Sequence, residues 1–365
     1  MKPVLHVLGQ LNRGGAERLI IDLVSHIDRE AFPQHIYLLS GKRGSLDDVA
    51  REAGATLHYG TWSHRIAHDL TNVLKEHRIA ILESHVHLSS AIILALASHK
   101  MQRIAFLHST GDDHGDTLLR EIYRKAMHAL LRRTATDIVG ISAGVLREAW
   151  SVDWQHDCAA RVIPNGIDTS LFLPLVAARP IRSARPSLSC IHVGRFDPPK
   201  NHERVLAIFA AINKELGPST LHLVGRYSTD RHVALMACAE SFGVRDQVTF
   251  LGERNDVPQL LVASDLLLLP SLREGMPSVV LESVAAGTPV LASTLPGVLE
   301  IANEIDGIRC VDLEASNEEW ATAARALLAQ VGAPLALHQG IARSRFTVNA
   351  FCESHVRLWS RDWLR

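Results

Sequence analysis

Short apolar runs that suit buried strands alternate along this chain with longer stretches in which apolar residues recur at steps of three and four. The short runs lie at 4–8, 35–39, 80–84, 104–108 and 137–141 in the first half, and at 189–194, 220–224, 247–251, 265–269, 290–292 and 308–311 in the second. Strand and helix periods taken in turn predict parallel sheets covered by helices on both faces, the doubly wound α/β class. Between the two sets, Pro174, Pro180 and Pro186 break both periods. The expected division is therefore a first domain at 1–172, a linker at 173–187, a second domain at 188–345 and a terminal segment at 346–365. A chain of 365 residues exceeds the usual size of a single core, in agreement with two domains.

Ligands of doubly wound sheets bind beyond the carboxyl ends of the strands, which selects the loops to inspect. The first strand runs into Asn12-Arg13-Gly14-Gly15, whose glycines either bring backbone N–H groups to an anion at a helix start or simply make a tight turn. In the second half, Arg195 and Lys200 share one strand-to-helix loop, where a guanidinium fork and a point charge suit a diphosphate; solvated surface charges are the plainer alternative. The most informative stretch is Pro270 to Val290. It carries Glu274 before Gly275-Met276-Pro277, with Pro277 expected in the first turn of the next helix, and Glu282 inside that helix. Two such carboxylates can accept hydrogen bonds from sugar or ribose hydroxyls, each contributing roughly 1.5–3 kcal/mol before desolvation.

His108 closes one strand, and His85 and His87 follow another. Their His-x-His spacing, in an extended segment, would turn both rings to one face; a metal is conceivable there, but no third ligand is identifiable. The helix expected at 118–133 has Leu118, Leu119, Ile122 and Tyr123 at helical spacing and Arg120, Arg124, Lys125, Arg132 and Arg133 on its polar side. It either packs on its own sheet or docks on an anionic bilayer.

Composition narrows the field. A net charge of −1 lacks the basic surplus that drives nucleic-acid binding. Five scattered cysteines without Cys-x-x-Cys spacing suggest neither a disulfide framework nor a structural zinc site, and fit a cytoplasmic setting. No apolar run reaches the roughly 20 residues of a spanning helix, so any membrane contact is expected to be peripheral.

Taken in order, Gly-Gly-Ala-Glu-Arg18, Ile163-Pro-Asn-Gly-Ile-Asp168, Val193-Gly-Arg-Phe196 with Lys200-Asn201, Glu274-Gly-Met-Pro277 and Ala286-Gly-Thr-Pro-Val290 resemble the retaining GT-B glycosyltransferases whose motif is a glutamate, seven residues and a glutamate. The resemblance implies two Rossmann-like domains facing each other across a cleft, with the terminal segment crossing back to the first. It implies a nucleoside-diphosphate-sugar donor, a glycan or lipid-linked acceptor, and no divalent metal or other cofactor. Arg195 and Lys200 would contact the diphosphate and Glu282 the ribose. Glu274, with the backbone of Gly275, Met276 and Pro277, would hold the transferred sugar, which His108 would approach from the first domain. Gly15 would lie near the diphosphate, and Arg13, His85 and His87 are acceptor-side candidates. Assembly of cell-surface polysaccharide or lipopolysaccharide is the expected setting, in the cytoplasm or at the inner face of the membrane. A nucleotide-sugar epimerase on a related fold and a non-catalytic nucleotide-sugar-binding protein are the other readings.

Overall fold

A computed structural model describes residues 1–12, 14–111, 117–179 and 187–361. Arg13 and residues 180–186 of the expected linker lie outside the described residues. The strands are β1 Val4–Leu8, β2 Gln34–Leu38, β3 Thr56–Tyr59, β4 Ile81–Ser84, β5 Gln102–Leu107, β6 Asp137–Gly140, β7 Ala160–Val162, β8 Leu188–Val193, β9 Ser219–Val224, β10 Val248–Gly252, β11 Leu266–Leu269, β12 Val290–Ser293 and β13 Ile308–Val311. They form two parallel sheets, ordered β3-β2-β1-β4-β5-β6-β7 and β10-β9-β8-β11-β12-β13. Each order reverses once, at β1/β4 and at β8/β11, which makes both sheets doubly wound.

The buried centre of each sheet follows from composition. Leu266 to Leu269 are wholly buried, as expected for a strand with helices on both faces. In the first sheet the in-register partners Val7 and Tyr37 share one face and His6 and Ile36 the other, because side chains alternate along a strand.

The chain divides into two compact units, Met1–Gly166 with the chain from Val348, and Ile167–Thr347. The first change of unit therefore falls inside the Ile163–Asp168 motif rather than at 172/173. The start of the expected linker is ordered: Leu173–Ala177 is a short helix with Pro174 in its first turn, where a missing N–H leaves no bond unmade. Arg179 then binds Gly287 O at 2.9 Å and Thr288 Oγ1 at 3.1 Å, both in the second unit. Proline punctuation looked like a linker because it also suits a helix start.

The terminal helix Val348–Trp359 packs in the first unit. Trp359 is fully buried there and donates its indole N–H to Glu83 Oε2 at 3.0 Å, while Leu358 O accepts from Gln102 Nε2 at 3.1 Å.

Candidate active site

At the β8/β11 reversal, two loops that leave adjacent strand ends are stitched together. Leu272 N–H donates to Pro199 O at 2.8 Å, and the Asn201 side-chain amide donates to Pro270 O at 3.1 Å. Asn201 itself sits in the left-handed region at φ 54°, a conformation asparagine tolerates better than most residues. This stitching brings together two of the residues expected from sequence: Lys200 Nζ lies 2.6 Å from Glu274 Oε1, with side chains 23% and 11% exposed. The same Oε1 accepts from Ser271 Oγ at 2.8 Å, and Ser271 O accepts from Ser293 Oγ at 2.6 Å, which ties the pair back to β12.

Arg195 leaves the end of β8 more exposed and meets Asp197 at 3.2 Å, a surface pair too weak to fix its guanidinium. Gly275 is approached so closely by Gly297 that a Cβ there would stand 1.8 Å from Gly275 O. Met276 is buried, and Pro277 proves to be the cap residue just before the helix Ser278–Ala285 rather than part of its first turn. Glu282 is half-buried in the second turn of that helix.

Beneath the loop lie residues that sequence reasoning passed over. His192 is fully buried and donates its Nδ1–H to Leu268 O at 2.8 Å. Burial, opposed by that bond and aided by Lys200, holds its pKa at about 4, so it is neutral at physiological pH. Phe196 stacks on His202 at 4.0 Å between ring centres and supports the loop from inside. Histidines inside strand and helix patterns read only as core, so nothing in the sequence marked them.

The first unit holds a second constellation. Gly15, exposed, opens the helix Gly15–His26 beyond β1, and His85 N–H donates to Val7 O at 3.0 Å across the β1/β4 reversal. His85 and His108 are brought together, Nδ1 to Nε2 at 2.9 Å. His87 departs from expectation: β4 ends at Ser84, and His87 starts a 3₁₀ turn at φ 49°, so the segment is not extended and the His-x-His alternation does not apply.

Gln34 fixes the direction of the hydrogen bonds around His85. Gln34 donates its amide N–H to Phe32 O at 2.8 Å, so its Oε1, 2.9 Å from His6 Nε2, accepts. In a neutral ring the other nitrogen is then an acceptor, so His6 Nδ1 receives a hydrogen from His85 Nε2 at 3.1 Å. His85 Nδ1 likewise receives one from His108 Nε2, which leaves His108 with an unprotonated Nδ1. Burial, above all, keeps these rings neutral: His6 and His85 are pushed below the ordinary histidine value and His108 to about 4, against the opposing charge of Glu83. Glu83 is wholly buried, and although burial raises its pKa, the carboxyl is held low, with His355 as the strongest opposing group.

Comparison with solved structures identifies the architecture. The chain superimposes on HepE of Anabaena, crystallised with UDP and glucose, with a TM-score of 0.79 at 19% identity, covering 99% of this chain and 100% of that one. Two doubly wound units of this kind are the GT-B architecture of glycosyltransferases.

The family models agree: Glycosyltransferase Family 4 matches residues 13–171 and Glycosyl transferases group 1 matches residues 187–330. The chain belongs to this glycosyltransferase family. It is 26% identical to the capsular polysaccharide biosynthesis glycosyltransferase CapH of Staphylococcus aureus over 338 residues, 90% of this chain and 92% of that one. It is also 32% identical over 164 residues, 40% of each chain, to the UDP-Gal:alpha-D-GlcNAc-diphosphoundecaprenol alpha-1,3-galactosyltransferase of Escherichia coli.

Proposed function

We propose that this protein moves a hexosyl group from a nucleoside-diphosphate sugar to a glycan or lipid-linked acceptor in cell-surface polysaccharide assembly, with retention of configuration and without a metal. The observation that carries the reading is the Lys200–Glu274 pair at the β8/β11 reversal. As the sugar leaves, its anomeric carbon gains oxocarbenium character and the diphosphate gains negative charge. Lys200 as a point charge and Arg195 as a bidentate fork would stabilise that diphosphate, the part a metal plays elsewhere. Glu274 would accept hydrogen bonds from the transferred sugar, since its two bonds at Oε1 leave acceptor capacity on the carboxylate. Glu282 would bind the ribose, and Gly15 would present helix N-terminal amides to the diphosphate. His108, with its Nδ1 lone pair, would position the sugar by accepting from a hydroxyl. No residue is assigned as a covalent nucleophile.

The test is a titration of purified protein against UDP-, GDP- and ADP-sugars with EDTA present, for wild type and for Glu282→Ala and Arg195→Ala. Saturable binding to one base class, weakened in both variants, is expected, and binding to none would overturn the donor assignment. Binding without transfer or hydrolysis over a broad acceptor panel would favour a non-catalytic binding protein.

A lipid-linked acceptor would place the enzyme peripherally on the inner face of the membrane. In support, Leu118, Leu119, Ile122 and Tyr123 are exposed on the helix Leu118–Thr134, as are Lys125, Arg132 and Arg133. Among the described residues no helix is long and apolar enough to cross a membrane. Flotation with anionic vesicles at low and high salt should show salt-sensitive binding that Leu119→Glu abolishes; absence of binding at either salt would exclude docking through this helix.

A further inference from the structure

A second group of histidines lies away from the strand ends that carry His85 and His108. His35 is on β2, His58 on β3, and His77 caps the carboxyl end of the helix Ile66–Glu76. In register, His58 pairs with Tyr37, so His35 and His58 belong to the same face of the sheet. Their donor nitrogens, His35 Nδ1 and His58 Nε2, are 3.1 Å apart, and His77 stacks obliquely on both at 4.7 Å between ring centres. One ligand nitrogen from each of the three rings falls within 4.8 Å of the others.

We propose that His35, His58 and His77 form a binding site for a divalent transition metal, with Zn2+ as the natural occupant. Zinc held by imidazole nitrogens at about 2.0–2.1 Å in a tetrahedron sets those nitrogens about 3.3 Å apart, close to the His35–His58 separation. A set of three imidazoles suits zinc, copper or nickel and is the wrong chemistry for magnesium or calcium, which take oxygen ligands. His35 and His58 are ready to ligate, because metal binding requires the unprotonated form. Burial first, then the neighbouring imidazoles, push His35 and His58 down to about 4, so protons do not compete at neutral pH.

Two features of the surroundings favour a cation here. The site lies at the carboxyl end of an eleven-residue helix, whose dipole puts partial negative charge beside His77. His58 and His77 are half-buried, which gives the ion a way in, while His35 is buried and anchors the set to the sheet. Three rings leave a fourth position for water or another donor. The consequence is structural: one ion would tie the short edge strand β3 and the end of a helix to β2, closing chain segments far apart in sequence. The site takes no part in the transfer step, and its occupancy does not depend on the donor reading.

The test uses the full-length protein, untagged, stripped with EDTA and dialysed, then titrated with Zn2+ alone by calorimetry and with Co2+ by visible absorption. Wild type should bind one equivalent saturably, show the intense d–d bands of tetrahedral Co2+, and unfold at a higher temperature with Zn2+ than with EDTA. His58→Asn and His77→Asn should each weaken binding by more than about 100-fold, beyond what loss of an outer-shell partner costs. Both should unfold near the wild-type temperature in EDTA, which separates loss of the ion from loss of the fold; if one unfolds early, the other carries the test. Absence of saturable binding, or binding unchanged in both variants because the ion sits on other histidines, would overturn the proposal.

Discussion

Asn201 does two jobs with one side chain: it accepts a left-handed backbone at φ 54° and bridges to Pro270 O. The two can be separated. Asn201→Gly keeps the conformation and loses the bridge, whereas Asn201→Ala loses the bridge and adds about 1 kcal/mol or more of backbone strain. Donor affinity should fall in both variants, and thermal unfolding should show Ala less stable than Gly. Equal stability and wild-type affinity in both would mean that the bridge does not position Lys200. In the first unit, Gln34 sets the tautomers of three rings. Long-range proton–nitrogen spectra should find hydrogen on Nε2 of His108, and Gln34→Leu should mix its tautomers and lower kcat/KM about five- to tenfold, the worth of one hydrogen bond. Hydrogen on Nδ1 of His108 in the wild type would contradict the chain of bonds.

At the scale of elements, the terminal helix meets a buried charge of the first sheet through the bond from Trp359 to Glu83. Trp359→Phe keeps an aromatic ring but deletes the donor to Glu83 Oε2 and leaves a cavity where the indole was, so the loss in a chemical denaturation series should exceed the roughly 1.5–3 kcal/mol of the bond alone. A change below about 0.5 kcal/mol would show that Glu83 does not need that bond. The eleven strands read from apolar runs all form, within one or two residues of their expected bounds. The two that were missed, β3 and β7, are the edges of the first sheet. Their residues are half-buried or exposed, so Thr56–Tyr59 and Ala160–Val162 carry too little apolar signal to stand out. The loops that pair Lys200 with Glu274 stood out in the sequence because glycines, prolines and charges cluster there. The network around Glu83 was not, since His6, Glu83, His355 and Trp359 come from three separate stretches that only the fold brings into contact. His87 was misjudged because strand spacing was carried past the end of β4.

Several histidines across the molecule are held in the neutral form. His35, His58, His108 and His192 are each held at about 4, chiefly by burial. Unfolding restores the ordinary value near 6.5, so between about pH 6.5 and 4 the unfolded chain binds more protons and stability falls as pH falls. Calorimetry in EDTA should show the unfolding temperature dropping from pH 7 to pH 5, with an uptake of roughly two to four protons near pH 5. A flat profile would place these rings in contact with water.

In the proposed reaction the β8/β11 loops run a metal-independent glycosyl transfer through Lys200 and Glu274. The most direct measurement is steady-state release of nucleoside diphosphate with product formation, in EDTA, for wild type and Glu274→Gln, with donor affinity measured alongside. The predicted result is turnover by the wild type and a loss of roughly 100-fold or more in kcat for Glu274→Gln, with donor binding largely retained. Undiminished turnover in Glu274→Gln, or wild-type turnover that EDTA abolishes, would contradict it.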